Sequence, residues 1–145
     1  MRIFTSAFQD GGNIPVKYTC DGDNVSPPLT IDDVPPETKS LALIVEDPDA
    51  PRGTFTHWVV WGMDPGTHEL REDKIPPKAS QIENDFGGAD YGGPCPPSGT
   101  HRYFFRLYAL DTIGMPPSDA GHFHQAIADH VLEESSVMGR YRRAG

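Results

Sequence analysis

One short stretch of the sequence places acidic and imidazole side chains next to an apolar run. The stretch is EDPDAPRGTFTHWVVWG, where Asp47 and Asp49 flank a proline and His57 opens the apolar part. A carboxylate such as Asp47 can orient an imidazole and, by its charge, favour the doubly protonated ring. A protonated imidazole donates hydrogen bonds to an anion, and charge-assisted bonds of this kind are the stronger ones. The stretch is therefore a candidate for part of a binding site.

A second stretch, HRYFFRLYALD, adds another imidazole and a phenol. Because side chains alternate across a strand, His101 and Tyr103 share its more apolar face, and the same rule groups His57 with Val59 and Trp61. The run GGPCPPSG just before it carries backbone N–H groups that can form an anion-binding concavity. Taken singly, each of these residues is more often structural, and DPDAP alone is typical of a turn. Their combination at the ends of apolar runs favours a pocket.

Short strands must position these groups, because the apolar runs are β-branched or aromatic and are bounded by Pro, Gly and Asp. We predict strands at SLALIVE (40–46), THWVVWG (56–62) and HRYFFRLYALD (101–111). The N-terminal third alternates the apolar pieces IFTSAF, IPVKYT and PPLTI with turn sequences. This pattern predicts a mainly β fold, an antiparallel β-sandwich with long Pro- and Gly-rich loops.

The segments outside these strands are predicted as loops and one helix. From 64 to 100 the chain is too rich in Pro, Gly and acidic residues for a helix or a long ladder, so we expect ordered surface loops. An X-Pro bond such as Asp47–Pro48 can take the cis form, and we expect at least one cis bond. After MPPSD, apolar residues recur near helical spacing and predict a C-terminal helix with a buried histidine on its stripe: Phe123, Ala126, Ile127, His130, Val131 and Met138.

The length and charge of the chain limit what it can be. With 145 residues it has the usual size of one domain, which we place at 1–145. A formal net charge of -9 disfavours nucleic acid as a partner, and no apolar run is long enough to span a membrane. MRIFTSAFQD has no apolar signal segment, so we expect a cytoplasmic protein. Two cysteines make no disulfide framework in a chain of this size, and we expect Cys20 and Cys95 to be reduced thiols.

The two stretches and their flanks resemble the phosphatidylethanolamine-binding proteins, in the small bacterial and archaeal branch also called Raf-kinase-inhibitor-like proteins. The resemblance covers nearly the whole chain, through YTCDGDNVSPPL, SLALIVEDPDAPRGTFTHWVVWG, DYGGPCPPSGTHRYFFRLYALD and HVLEESSVMGRY. It implies an antiparallel Greek-key β-sandwich with a C-terminal helix, and a small pocket that accepts phosphate, acetate or a phosphoethanolamine head group. The positions that match the family's pocket are Asp47, Asp49, His57, Gly93, Cys95, Pro97, His101 and Tyr103.

The predicted function is therefore binding of a small anion, phosphate or a phosphorylated head group, in a preformed pocket and without a cofactor. The resemblance also implies regulation through protein contacts, such as inhibition of a kinase or a serine protease, and leaves a homodimer open. We expect no metal site, because His122 and His124 are two residues apart and would face different ways on a helix.

An enzyme is the alternative function. A hydrolase or lyase could use one imidazole of His57 or His101 as a base, with Asp47 orienting it. Ser98 and Cys95 lie nearby in the sequence, but neither has the context of an activated nucleophile. We therefore predict a binding protein with no catalytic residue.

Overall fold

The computed structural model describes residues 1–114, 117 and 119–144, and strands make up most of its regular structure. The strands, in chain order, are β1 Arg2–Phe4, β2 Leu29–Asp32, β3 Ser40–Asp47, β4 Phe55–Met63, β5 Glu69–Leu70, β6 Ser80–Ile82, β7 His101–Leu110 and β8 Val131–Tyr141. They form a small sheet in the order β1-β2-β5 and a large sheet in the order β6-β4-β3-β7-β8. Neighbouring strands in each sheet are antiparallel. The predicted mainly β Greek-key sandwich is confirmed.

The main core lies between the two sheets, and β3 supplies its centre. This strand is flanked by β4 and β7, and all eight of its residues are buried. Leu41, Leu43 and Val45 belong to the core that includes the small sheet, whereas Ala42 and Ile44 pack on the opposite face. A strand that is covered on both faces has a continuous apolar sequence, which explains why SLALIVE is unbroken.

The C-terminal segment is less helical than predicted. Only a 3₁₀ turn at Ala120–His122 and a helix, α1, at Phe123–Ile127 are helical, and the residues that follow form β8. Strand β8 pairs with β7 along its length, and its buried residues Val137, Gly139 and Tyr141 follow a period of two. Beyond α1 the helical spacing of apolar residues is coincidental, because pairing with β7 outweighs local helix propensity.

Two smaller predictions are also wrong. His130 is exposed, and its Nδ1 lies 2.8 Å from Asp111 Oδ1, because the chain leaves α1 before this residue. No peptide bond in the described part of the chain is cis, so the expected cis X-Pro bond is missing there. At Asp47–Pro48 a trans bond suffices, because the Asp47 carboxylate closes the turn by accepting the Asp49 backbone N–H at 2.7 Å.

The apolar pieces of the N-terminal third and the loops predicted for 64–100 contain short elements of regular structure. IFTSAF begins with the last two residues of β1 and PPLTI leads into β2, whereas IPVKYT forms a 3₁₀ turn at Val16–Tyr18 and not a strand. Within 64–100 the only regular elements are the short strands β5 and β6. No helix in the described residues is long and apolar enough to cross a membrane.

Cys20 and Cys95 form a disulfide with 2.09 Å between the sulfurs, so the prediction of two free thiols is wrong. Hydrogen bonds between two loops align the cysteines: Cys20 N–H donates to Pro94 O at 3.1 Å, and Gly93 N–H donates to Asn24 Oδ1 at 2.8 Å. The sequence does not reveal these contacts, because the cysteines are 75 residues apart. Disulfides persist mainly in oxidising compartments. A cytoplasmic location therefore stays a prediction, and the disulfide does not support it.

Candidate functional site

A cavity of about 230 Å³ opens at the end of the large sheet where β3 ends and β7 begins. Other clefts, of about 470, 500 and 400 Å³, are larger, but the aspartate, histidine, lysine and arginine side chains that line them are exposed. The smaller cavity contains buried titratable groups and is therefore the candidate site. Six of the eight predicted site residues line it: Asp47, His57, Cys95, Pro97, His101 and Tyr103.

Antiparallel pairing of β3 with β7 brings a carboxylate and an imidazole together. Asp47 ends β3 and His101 begins β7, and His101 Nδ1 lies 2.6 Å from Asp47 Oδ2, with both side chains buried. Because an ionised carboxylate can only accept, Nδ1 carries the hydrogen. The second oxygen of Asp47 accepts the Asp49 N–H, so each carboxylate oxygen has a partner within the protein. The Nε2 of His101 has no hydrogen-bond partner among the described residues.

His57 reaches the cavity through an irregularity in β4. The register between β3 and β4 shifts between Val45 and Glu46, which pair with Trp58 and Thr56, so His57 between them has no partner in β3. A β-bulge of this kind turns a side chain away from strict alternation and is common next to functional sites. The expected grouping of His57 with Val59 and Trp61 is therefore wrong, because those two residues pack on the other face of the sheet.

The surroundings of His57 favour the neutral form of its ring. Its Nδ1 donates to the Gly92 carbonyl oxygen at 2.7 Å, and its ring contacts those of Phe55, Phe86 and Tyr103 at centroid distances of 5.0, 5.1 and 5.2 Å. Burial lowers the pKa of His57, although the Gly92 carbonyl and nearby carboxylates oppose this shift. With Nδ1 protonated, the Nε2 of a neutral ring has a lone pair. His57 thus offers an acceptor, where the sequence predicts a protonated donor.

Tyr103 completes the polar side of the cavity. Its ring is nearly parallel to that of His101, at 23° and 6.4 Å between centroids. Burial raises the pKa of the Tyr103 hydroxyl, and a hydrogen bond with the Cys95 backbone opposes the shift only in part. The hydroxyl therefore stays protonated and can donate to a bound group.

Asp49, a predicted site residue, lies outside the cavity lining. Its carboxylate accepts the Arg102 backbone N–H at 2.9 Å and the guanidinium at 2.9 and 2.8 Å. The Arg102 guanidinium is the main reason that the pKa of Asp49 falls to about 2. Through these hydrogen bonds Asp49 links the turn after β3 to the start of β7, next to the Asp47–His101 pair.

Gly93 also lies outside the cavity lining. It allows the loop that forms part of the cavity wall to pack closely against the loop that contains Tyr18. A Cβ on Gly93 would come within 2.4 Å of the Tyr18 carbonyl oxygen, so only glycine allows the two loops to approach this closely. The disulfide of Cys95 crosses the same loop contact, and Cys95 and Pro97 continue the loop along the cavity.

Aromatic residues that the sequence analysis did not select form the apolar wall. Phe55 precedes His57 by two residues on β4, so its closeness to the site could have been inferred. Phe86 comes from the loop after β6, which leaves no periodic signal, yet it packs edge-on against Phe55 with 4.7 Å between centroids. Asn84 holds this loop in place, because its side-chain amide donates to His57 O and Asp90 O.

The two histidines that were considered as metal ligands each lie within hydrogen-bond distance of a carboxylate, outside the cavity lining. His122 Nδ1 is 2.7 Å from Asp119 Oδ1, and His124 Nε2 is 3.0 Å from Glu46 Oε1. Within residues 1–114, 117 and 119–144, no three His, Cys, Asp or Glu side chains are grouped so that they could hold a metal ion.

Comparison with known proteins supports the resemblance over nearly the full length. The family model "Phosphatidylethanolamine-binding protein" matches residues 4–142. The crystal structure of a phosphatidylethanolamine-binding protein homolog from Chlamydia trachomatis superposes with a TM-score of 0.92 at 38% identity, covering 99% of this chain and 97% of that one. Escherichia coli YbcL, described as a new member of the mammalian PEBP family, gives a TM-score of 0.93 at 30% identity over 99% and 98% of the two chains.

Curated relatives carry a name that states no activity. A UPF0098 protein of Methanothermobacter thermautotrophicus is 50% identical over 150 residues, covering 99% of both chains. A UPF0098 protein of Archaeoglobus fulgidus is 48% identical over 146 residues, and the match covers 96% of this chain but only 50% of that relative. This chain therefore spans half the length of the Archaeoglobus protein.

Proposed function

We propose, from the premise that this chain belongs to the phosphatidylethanolamine-binding protein family, that its cavity binds phosphate or a phosphorylated head group. The observation that carries the proposal is the convergence of His101 Nε2 and the Tyr103 hydroxyl on one cavity, neither with an acceptor among the described residues. Asp47 holds the imidazole in place for this role. In surroundings of low dielectric constant, hydrogen bonds to a charged group are stronger than in water.

The size of the cavity favours a small ligand. A volume of about 230 Å³ is below the usual range of roughly 300–1,000 Å³ for sites that enclose drug-sized molecules. A phosphate with a short substituent fits this volume, and a larger substituent would extend over the apolar rim.

A regulatory role through protein contacts is the second part of the proposal. Phe86 is 52% exposed beside the cavity, and the neighbouring Pro51 and Pro97 are exposed as well. Exposed apolar residues around a pocket are typical of surfaces that contact other proteins. Inhibition of a kinase or a serine protease by this rim is the role that family resemblance suggests.

Titration with inorganic phosphate, followed by NMR of the imidazole resonances, tests the anion site. We expect shifts at His57 and His101, and weakening of phosphate binding by about 1–3 kcal/mol in His101→Ala, the scale of a hydrogen bond to a charged group. His122→Ala is the matched control, because His122 is exposed and distant from the cavity lining, and it should bind phosphate normally. Shifts confined to His122 and His124 would contradict the proposal.

An acid–base enzyme is the second candidate, because one specific observation favours it. Neutral His57 has a lone pair on Nε2, and it lines the same cavity as the Asp47–His101 pair. A hydrogen-bond acceptor and a potential donor therefore lie in one cavity. A broad screen with phosphoester and ester substrates on wild type and His101→Ala separates the two functions. Turnover that disappears in the variant, with a loss of roughly a hundredfold or more, would establish the enzyme.

A further inference from the structure

His57 presents a lone pair where an anion-binding cavity would be expected to present a hydrogen. Its Nδ1–H is committed to the Gly92 carbonyl at 2.7 Å, and its Nε2 has no hydrogen-bond partner among the described residues. The side chain is only 3% exposed, and rings of Phe55, Phe86 and Tyr103 pack against it. A second proton on this ring would place a charge among aromatic rings, which is unfavourable.

The other polar side chains of the cavity that face a ligand, Tyr103 and His101, can act as donors. The Tyr103 hydroxyl can donate, and His101 donates through Nε2 when both its nitrogens are protonated. A fully deprotonated oxyanion would satisfy these two donors but would turn an oxygen lone pair toward the lone pair of His57. An oxyanion with a hydrogen of its own would satisfy all three groups.

We propose that the cavity selects singly protonated oxyanions, such as the monoanion of a phosphate monoester, whose P–OH hydrogen is accepted by His57 Nε2. The remaining phosphate oxygens then accept from Tyr103 and His101. This inference rests on the proposed function and specifies the ligand of that same site. It requires no transfer of a proton, because the ligand keeps its hydrogen in the complex.

The charged groups around His57 are compatible with this selection. Asp47 at the end of β3 and Asp85 in the loop after β6 are the carboxylates that act on the ring, while His101 and Tyr103 face it from β7. The oxygens of Asp47 accept from His101 and Asp49, and Asp85 Oδ2 accepts the Thr56 backbone N–H at 2.7 Å. Neither carboxylate therefore supplies a hydrogen to the ligand, and a second negative charge on the ligand would be repelled by both.

Methyl phosphate and methyl sulfate are suitable probes, because they have the same tetrahedral shape and only the phosphate can carry a hydrogen. A phosphate monoester loses its second proton near a pKa of about 6. At about pH 5.5 we expect methyl phosphate to bind at least about tenfold more tightly than methyl sulfate, the scale of one hydrogen bond to a charged group. Because the ester is deprotonated by about pH 8, its advantage should shrink there. Dimethyl phosphate, a monoanion without a hydrogen, should bind like methyl sulfate.

His57→Phe should remove the preference while keeping the aromatic packing. We expect this variant to bind methyl phosphate and methyl sulfate with similar affinity, whereas His124→Phe, on the other face of the sheet, should keep the wild-type ratio. Thermal unfolding establishes that both variants fold, and the pH dependence of the wild-type ratio needs no variant at all. Equal binding of the two probes to the wild type at about pH 5.5 would overturn this inference and leave the anion site standing. Binding of neither probe, nor of inorganic phosphate, would overturn the proposed function itself.

Discussion

Two consecutive residues at the end of β3 each bond to a histidine, on opposite faces of the sheet and with different results. On the inner face, Asp47 Oδ2 lies 2.6 Å from His101 Nδ1, and both side chains are buried. On the outer face, Glu46 accepts from Arg106 Nε at 2.9 Å and pairs with His124 Nε2 at 3.0 Å. The outer histidine side chain is 53% exposed, and the inner one is 9% exposed.

The two groups differ in whether a polar atom is left without a hydrogen-bond partner in the protein. Burial opposes ionisation of Glu46, but hydrogen bonds and charges from His124 and Arg106 outweigh it and lower the pKa of Glu46. The outer group thus balances its charges within the protein and ties α1 to the sheet. The inner pair has no arginine, and the second nitrogen of His101, a residue that lines the cavity, has no hydrogen-bond partner among the described residues. A carboxylate and a histidine thus meet on both faces of the sheet, and only the inner pair carries the proposed binding role.

Removal of the disulfide should have the largest effect on stability. Within the folded protein it should change the cavity on the inner face and leave the outer face as it is. With Cys20→Ser and Cys95→Ser together, the free energy of unfolding should fall by roughly 4 kcal/mol, because the bond closes a loop of 75 residues. Phosphate binding should weaken, since Cys95 lines the cavity. Urea unfolding and phosphate titration measure the two effects.

The outer pair provides the control for this variant. NMR signals of His124 should keep their wild-type positions, and reduced wild-type protein should behave like the double variant. A free energy of unfolding within about 1 kcal/mol of wild type would show that the disulfide contributes little to stability.

Neutralising each carboxylate in turn should separate binding from stability. Asp47→Asn should lower phosphate affinity about tenfold or more, because His101 loses the charge that orients it as a donor. Glu46→Gln should leave phosphate affinity unchanged and lower the free energy of unfolding by about 1–3 kcal/mol, because Arg106 loses its charged partner. Calorimetric titration and urea unfolding of both variants test this. Loss of affinity in Glu46→Gln would mean that the two faces are coupled.

The parts of the fold that were predictable are those that local pattern determines. SLALIVE and HRYFFRLYALD form β3 and β7 because pairing in the middle of the sheet requires long apolar or alternating runs. The chain after α1 was misread because an edge strand tolerates exposed residues at its start, which imitates an amphipathic helix. The disulfide could not be predicted, because the hydrogen bonds between two separate loops align its cysteines.

The residues that line the candidate site were largely predictable, but their electrostatics were not. Strand alternation places His101 beside Tyr103, and resemblance supplies Asp47 and His57. The bulge that turns His57 into the cavity and the Gly92 carbonyl that fixes its tautomer depend on chain segments far from β4 in sequence. Its role as an acceptor is therefore visible only in three dimensions. For the same reason Phe86, from an irregular loop, escaped prediction.

Acidification should lower the free energy of unfolding in two separate pH ranges, one set by His57 on the inner face and one by Glu46 on the outer face. Burial lowers the pKa of His57 from its usual 6.5, so the ring takes up a proton on unfolding. Its contribution is complete above pH 6.5 and is lost as the pH falls below that value, by at most about 1.4 kcal/mol per pH unit. The pKa of Glu46 is lowered from 4.5, so its contribution is present above pH 4.5 and is lost only below it.

Urea unfolding of wild type, His57→Phe and Glu46→Gln across this pH range tests the separation. His57→Phe should flatten the stability profile between about pH 6.5 and 5, and Glu46→Gln should flatten it only at lower pH. An unchanged slope above pH 5 in His57→Phe would mean that other groups cause the early loss, in contradiction to a neutral buried His57.

The smallest effect should come from substitution of Asp49. This substitution tests whether the inner site includes Asp49. Its carboxylate and the Arg102 side chain are 29% and 46% exposed, so solvent screens the pair and Asp49→Asn should cost about 0.5–1 kcal/mol. Because the Arg102 guanidinium lowers the pKa of Asp49 from 3.8 to about 2, this contribution is present above pH 3.8 and is lost as the pH falls toward 2.

Phosphate binding distinguishes the structural position of Asp49 from the role that family resemblance suggests for it. Asp49 lies outside the cavity lining and reaches the site only through its bonds to Arg102 and to the turn after Asp47. We therefore expect Asp49→Asn to bind phosphate within about twofold of wild type, less than the loss of one hydrogen bond. Arg102→Ala is the matched control, because it breaks the same ion pair from the other side. A tenfold loss in Asp49→Asn alone would place the Asp49 carboxylate within the binding site after all.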